Sequence, residues 1–190
     1  MKEVWLYPTE TIYALGVNAF DADALKLLAS IKGRPVEQAV SCLVRSADDI
    51  EQYAELNQTA RKLVAAFLPG PMTIVLPCID EWLRHVSTDG SVSFRISPDP
   101  VTQKTISEFM DLYDAPLTCT SANLHGRIPA HKPATILTQL GEQAVHITKI
   151  VDDGPRSGTA STVVSCVGGE VQILRVGAIT PMDILEVTGR

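Results

Sequence analysis

Three groups of side chains in this chain have the types and spacing to hold an anion. Near the start, Tyr7 to Gly16 reads YPTETIYALG, and the ring of Pro8 cannot donate to a sheet ladder, so the apolar run Val4 to Tyr7 ends there or lies at an edge. Thr9, Glu10 and Thr11 then put two hydroxyls and a carboxylate on a turn at that strand's C-terminal end. Ligands of open α/β sheets bind in the crevice outside the strand C-termini, so this turn is where contact with a substrate is first expected. One helix later, Lys32 and Arg34 flank Gly33, and both can point into one cleft and neutralise phosphate oxygens, Arg34 with a bidentate fork. Ser121 and Asn123 follow a strand-like run and could present a hydroxyl and an amide to a nucleotide. Arg95, Arg156 and Arg175 each lie near a turn or strand end, so a suitable fold could converge them with Lys32 and Arg34 on one anion.

Each of these residues also has a plainer reading. A Thr after a Pro at a strand end is more often a helix N-cap, and position alone favours that role for Thr9 and Thr11. A Lys in a last helical turn is favoured by the helix dipole, Ser and Asn are ordinary turn residues, and an Arg at a strand end is mostly a solvated charge. The stretch Gly154 to Thr162 (GPRSGTAST) could make an anion-binding nest of N–H groups, but it lacks the G-K-[ST] ending of a P-loop. None of His85, His125, His131 and His146 has metal-ligand spacing, and no Ser sits in a nucleophile elbow. Any catalysis is therefore expected to come from positioning and charge stabilisation, as in phosphoryl chemistry, with no metal centre built from side chains.

The elements that must position these residues follow from periodicity and punctuation. Strands are expected at Val4–Tyr7, Ser41–Val44, Met72–Leu76, Ser91–Ile96, Leu117–Thr120 and Val145–Val151, with a hairpin of Thr162–Val167 and Val171–Val176 turning at Gly168-Gly169. Helices are expected over Asp21–Ile31, capped by Asp21 and stopped by Gly33, then over Ala47–Tyr53 and Gln58–Phe67. Others run from Pro98–Pro100 to about Met110, from Lys132-Pro133 to about Leu140, and over Pro181–Val187; Trp82–His85 is too short to assign. Helices alternate with strands early and strands pair locally late, which predicts an α/β fold with a mixed parallel and antiparallel sheet flanked by helices.

Composition narrows the class. At 190 residues and 45% hydrophobic content the chain suits a single domain with a sizeable core. Its apolar runs fall short of a membrane span and no signal pattern opens it, so a cytoplasmic protein is expected. Cys42, Cys78, Cys119 and Cys166 lie far apart without a C-x-x-C pair and read as buried small hydrophobes in a reducing compartment. Asn57-Gln58-Thr59 matches a glycosylation sequon only by chance on that reading. A net charge of −6 argues against broad electrostatic binding of nucleic acid while leaving room for a local basic pocket.

The order and spacing of the motifs carry a resemblance that no single motif carries. Pro8-Thr9-Glu10-Thr11 with Tyr13-Ala14-Leu15-Gly16, Lys32-Gly33-Arg34-Pro35, Pro69-Gly70-Pro71-Met72-Thr73, Arg95, Ser121-Ala122-Asn123, Ser161-Thr162-Val163-Val164 and Arg175-Val176-Gly177-Ala178 together look like the YrdC family, in particular its threonylcarbamoyl-AMP synthases. The resemblance covers about Val4 to Ile179 and implies one YrdC-like domain over residues 1–190, a twisted sheet with a concave basic cavity, and no second domain. It implies a reaction in which L-threonine, bicarbonate and ATP, with Mg²⁺ on the phosphates, give threonylcarbamoyl-adenylate and pyrophosphate. The product would pass to a separate transferase complex that modifies tRNAs reading ANN codons. Carried over by motif, Lys32, Ser91, Ser121, Asn123 and Arg175 would hold ATP, Thr9, Arg95 and Ser161 would contact threonine, and Lys32 with Arg34 would serve catalysis. Relatives usually carry a helix and a Gly before the first strand, Pro-Leu where Ala39-Val40 stands, and Asp where Ser165 stands. The short lead-in predicts an edge or face of the sheet that is less covered. Related alternatives are a carbamoyl-adenylate-forming module and a non-catalytic module binding tRNA or double-stranded RNA.

Overall fold

A computed structural model describes residues 2–189. In it, β1 (Trp5–Tyr7) turns back into β2 (Ala14–Gly16), and α1 (Ala22–Lys32), β3 (Ser41–Leu43), α2 (Ala47–Tyr53), α3 (Gln58–Phe67) and β4 (Met72–Pro77) follow. The chain continues through β5 (Ser91–Arg95), α4 (Pro100–Tyr113), β6 (Leu117–Ser121), α5 (Pro133–Leu140), β7 (Lys149–Ile150), β8 (Thr162–Ser165), β9 (Gln172–Arg175) and α6 (Pro181–Thr188). Local chemistry sets the helix ends. The Asp21 carboxylate accepts from the N–H groups of Asp23 and Ala24 to open α1, and Gly33 closes it in the left-handed region at φ 64°. Capping boxes, Ser46 with Asp49 and Thr180 with Asp183, open α2 and α6.

Among the described residues nine strands form one mixed sheet in the order β7-β1-β2-β6-β3-β5-β4-β8-β9. The pairs β1/β7, β3/β5 and β4/β8 are parallel and the others antiparallel. Strand alternation separates its two faces. Leu6, Leu15, Cys42, Ile74, Val92, Phe94 and Val164 face a large core completed by α1, α2, α3, α5 and α6. Trp5, Tyr7, Ala14, Leu43, Leu117 and Cys119 face the other way, where α4 supplies Ile106, Phe109 and Met110. Among the described residues α4 alone covers that second face, over β1, β2, β6 and the Leu43 end of β3, and the remainder is open.

Several expectations change. The strand Ala14–Gly16 was not anticipated: three residues ending in Gly carry too little pattern, and the β1/β2 pairing that makes it a strand is tertiary. Of Val145–Val151 only Lys149–Ile150 pairs as a strand; Val145 and His146 end a 3₁₀ turn over Gly141–His146, are exposed and meet no partner strand. In the last hairpin the strands stop at Ser165 and restart at Gln172, since Val167–Gly169 form a 3₁₀ turn with Gly168 and Gly169 at positive φ. The strand β1 is not an edge: it lies between β2 and β7, and Trp5, Leu6 and Tyr7 are all buried. The four cysteines are free thiols, Cys78 half-buried and the others buried. Among the described residues no helix is long and apolar enough to cross a membrane.

Gly16 packs β2 onto β6 more closely than any side chain permits, since a Cβ there would lie 2.3 Å from the Thr118 carbonyl oxygen and 2.9 Å from the Tyr7 ring. Gly16→Ala is expected to lower stability by about 1–3 kcal/mol in urea unfolding. An unchanged midpoint would mean that the strands can separate without cost.

Candidate functional site

The open part of the second face is the floor of a cavity of about 630 Å³, within the range of roughly 300–1,000 Å³ usual for small-ligand sites. Alternate residues of adjacent strands pave it: Ser91, Ser93 and Arg95 from β5, Thr73 and Val75 from β4, Ser41 from β3, Cys119 and Ser121 from β6. The site therefore lies on a sheet face as well as at strand ends, a correction to the crevice expected from open α/β sheets. A polar alternation, Ser91-Val92-Ser93-Phe94-Arg95, was the available sign. Lys32, Arg34, Arg95 and Arg175 all line the cavity, and no Asp or Glu is among the described residues that do.

One end is built by two loops that clamp each other. Lys32 is buried, only 4% exposed, and its ammonium donates to the backbone oxygens of Ser121 and of Asn123, the latter at 2.9 Å, with Asn123 Oδ1 at 3.4 Å and Ser121 Oγ at 3.5 Å. In return the Lys32 carbonyl accepts from the His125 N–H at 2.8 Å. These contacts displace the dipole reading, because the ammonium serves the turn after β6 and not its own helix end. Burial, followed by the nearby Arg34 charge, lowers the Lys32 pKa to about 8. Arg34 is half-buried, its pKa also lowered by burial, and its Nε is buried without a hydrogen-bond partner among the described residues. Ala39 and Val40 line the wall beside it.

The other end is built on the β1–β2 turn. Thr9 and Thr11 do not cap a helix. Thr9 Oγ1 accepts from the N–H groups of Thr11 and Ile12 at 3.2 Å and lies 2.9 Å from Thr11 Oγ1, so the hydroxyls reverse the chain between two antiparallel strands. The Arg95 guanidinium reaches Glu10 Oε1 at 2.5 Å and Thr11 Oγ1 at 3.4 Å, with Cys119 Sγ at 3.7 Å from Nη1. Burial pulls the Arg95 pKa down, but Cys119 and Glu10 outweigh it and the group is held above its ordinary value. Ser161 Oγ is 2.9 Å from Thr73 Oγ1, and Arg175 holds Ser161 through its carbonyl at 2.8 Å and its hydroxyl at 3.1 Å. Burial, then the Arg95 charge, lowers the Arg175 pKa.

Thus Thr9, Lys32, Arg34, Ser91, Arg95, Ser121, Asn123, Ser161 and Arg175 meet around one cavity. Ser91 sits at the rim, its hydroxyl donating to the Thr88 carbonyl. Arg156 does not join them; it pairs with Asp99 and Asp153 and donates to the Thr9 carbonyl behind the turn. The expected nest does not form across 154–162, since the Arg156 N–H is spent on the His131 carbonyl and the Gly158 N–H on the Thr11 carbonyl. Gly158 is required there because a Cβ would lie 2.7 Å from Thr11 Cα. Ser165 accepts from the Val167 N–H and lies outside the cavity lining. Sequence reasoning read Cys119 as a buried small hydrophobe, which it is, without placing its thiol in the cavity wall, and gave Glu10 no role; Glu10 announces itself only through its tertiary partner Arg95.

Comparison with known proteins identifies the family. A threonylcarbamoyl-AMP synthase of Bacillus subtilis is 35% identical over 99% of this chain and 54% of its own length. A putative threonylcarbamoyl-AMP synthase of Mycobacterium tuberculosis is 33% identical over 96% of this chain and 82% of its own. The crystal structure of Pyrococcus abyssi Sua5 complexed with L-threonine superposes with a TM-score of 0.84 at 28% identity, covering 98% of this chain and 54% of that one. The chain thus spans about half the length of the Bacillus relative and of the Pyrococcus protein. The Sua5/YciO/YrdC family model, described as telomere recombination, matches residues 2–177, and with these relatives and this fold the chain belongs to the Sua5/YciO/YrdC family.

Proposed function

We propose that the chain is a threonylcarbamoyl-AMP synthase, forming L-threonylcarbamoyladenylate and pyrophosphate from L-threonine, bicarbonate and ATP for threonylcarbamoyladenosine modification of tRNA. The observation that carries this reading is one cavity in which four cationic side chains converge and no carboxylate intrudes, on a chain of net charge −6. Threonine and bicarbonate condense to a carbamate with loss of water, and the carbamate oxygen attacks the α-phosphorus as pyrophosphate leaves. No covalent group from the protein is needed. The protein has to bring a carbamate and a triphosphate together against their repulsion, and Lys32, Arg34 and Arg175 supply the opposing charge. Ser91, Ser121 and Asn123 orient the nucleotide, while Thr9, Arg95 and Ser161 hold threonine. Mg²⁺ fits the hydroxyl-rich, carboxylate-free lining as an ion carried by phosphate oxygens and water. A closed pocket would slow hydrolysis of the labile acyl-adenylate. A tRNA-modifying transferase would receive the product.

The direct test is pyrophosphate release from ATP and Mg²⁺ with threonine and bicarbonate each present or omitted. Release that needs both is expected. Release with carbamoyl phosphate in place of threonine would assign the carbamoyl-adenylate branch, and no release from folded protein would leave a binding role such as RNA.

Two further outcomes separate the cations. Lys32→Ala should abolish release and also cost about 1–3 kcal/mol in urea unfolding, because buried acceptors of the Ser121–Asn123 turn lose their donor. Arg34→Ala should depress release at near-native stability; equal destabilisation by both would undo the distinction.

Polyphosphate favours the charged amine, whereas burial holds the free Lys32 pKa near 8. Above that pH part of Lys32 is neutral in the free protein and charged in the complex, so ATP binding should take up protons. Calorimetry in two buffers of different ionisation enthalpy reads the uptake, which Lys32→Ala should remove. Uptake that persists in that variant would assign the proton elsewhere.

A further inference from the structure

Of the four cations in the cavity, only Arg95 is paired with a carboxylate among the described residues, and that carboxylate lies outside the cavity lining. Glu10 presents one oxygen to Arg95 Nη2 at 2.5 Å and the other to Ser97 Oγ at 2.6 Å, with side-chain exposures of 10% for Arg95 and 13% for Glu10. The contacts close into a ring. Ser97 Oγ accepts from the Asp99 N–H at 3.2 Å, Asp99 Oδ2 accepts from Arg156 at 3.3 Å, and Arg156 Nε returns to the Thr9 carbonyl at 3.2 Å. Thr9 and Thr11 complete it through their hydroxyls and Arg95. The ring links the β1–β2 turn, the end of β5 and the start of α4, so Arg95 cannot swing toward the middle of the cavity without breaking its contact to Glu10.

Charge adds a second consequence. Lys32, Arg34 and Arg175 have no carboxylate within ion-pair reach among the described residues, so their charge is not cancelled before a polyphosphate binds. At the Arg95 guanidinium Glu10 cancels about one charge, which leaves its donors able to accept one carboxylate but gives no net attraction for a group of several negative charges, so phosphates are left to Lys32, Arg34 and Arg175.

We propose that Glu10 is a positioning and specificity residue that fixes Arg95 and, by neutralising it, reserves that end of the cavity for a single amino-acid carboxylate and excludes phosphate. The carboxylate half of this proposal rests on the threonine reading above; the exclusion of phosphate does not. Glu10→Gln keeps the shape and a contact to Ser97 while removing the charge. Ser97→Ala keeps the charge and loosens the carboxylate.

The test is calorimetric titration with inorganic pyrophosphate and, separately, with L-threonine, on full-length variants whose urea unfolding is measured in parallel. In an Arg34→Ala background, Glu10→Gln should tighten pyrophosphate binding by about tenfold, and in the otherwise native chain it should weaken threonine binding by about tenfold. Ser97→Ala should weaken threonine binding severalfold and leave pyrophosphate unchanged. Steady-state kinetics should show pyrophosphate becoming competitive against threonine in Glu10→Gln, a change that a purely structural role would not produce. Pyrophosphate affinity unmoved by Glu10→Gln overturns the exclusion, and threonine affinity unmoved by Ser97→Ala overturns the positioning even where Glu10→Gln fails to fold. Pyrophosphate gain in a protein that never binds threonine would support the exclusion and overturn the threonine reading.

Discussion

The architecture depends on an unequal covering of one sheet. Five helices bury the face carrying Ile74, Phe94 and Val164, whereas only α4 packs on the other. An apolar surface left open there would be costly in water, so the uncovered strands carry Ser41, Thr73, Ser91, Ser93, Arg95 and Ser121 at alternate positions. The fold thereby obtains a rigid polar floor from its own sheet. Side chains on such a floor keep their spacing because the ladder hydrogen bonds fix the backbone beneath them.

Placing four cations around that floor raises an electrostatic difficulty, since like charges in a partly desolvated cavity repel and each is costly to bury. The chain meets it differently at its two ends. Lys32 gains backbone carbonyls as acceptors, which satisfy the ammonium without cancelling its charge. Arg95 gains a carboxylate, which cancels most of it. Burial lowers the pKa values of Lys32, Arg34 and Arg175, a neighbouring cation adds to it at Lys32 and Arg175, and a bound polyanion would offset both.

Much of the fold was legible because its signals are local. Asp21 and Gly33 mark the ends of α1 through capping chemistry, and Pro100 and Pro133 open their helices where a missing N–H costs nothing. Elements whose identity rests on a partner were read poorly. Ala14–Gly16 is a strand only because Tyr7 and Ser121 lie beside it, and Val145 is not in one because no strand reaches it. For the same reason Thr9 looked like a helix cap: its hydroxyl does accept backbone N–H groups, but those of a hairpin turn.

By itself the sequence determined residue types, spacing and the local stops and starts, and with them the motif order that carried the resemblance to the YrdC family. Only the tertiary structure decided which cations share a cavity. Arg95 and Arg175 enter it and Arg156 does not, although all three sit near strand ends or turns, because convergence depends on strand order and on which face a side chain leaves. Glu10 was likewise an undistinguished acid in a turn until β5 brought Arg95 within hydrogen-bond reach across 85 residues of chain. Charge compensation acts through space over a few ångströms, and separation along the chain carries no record of it.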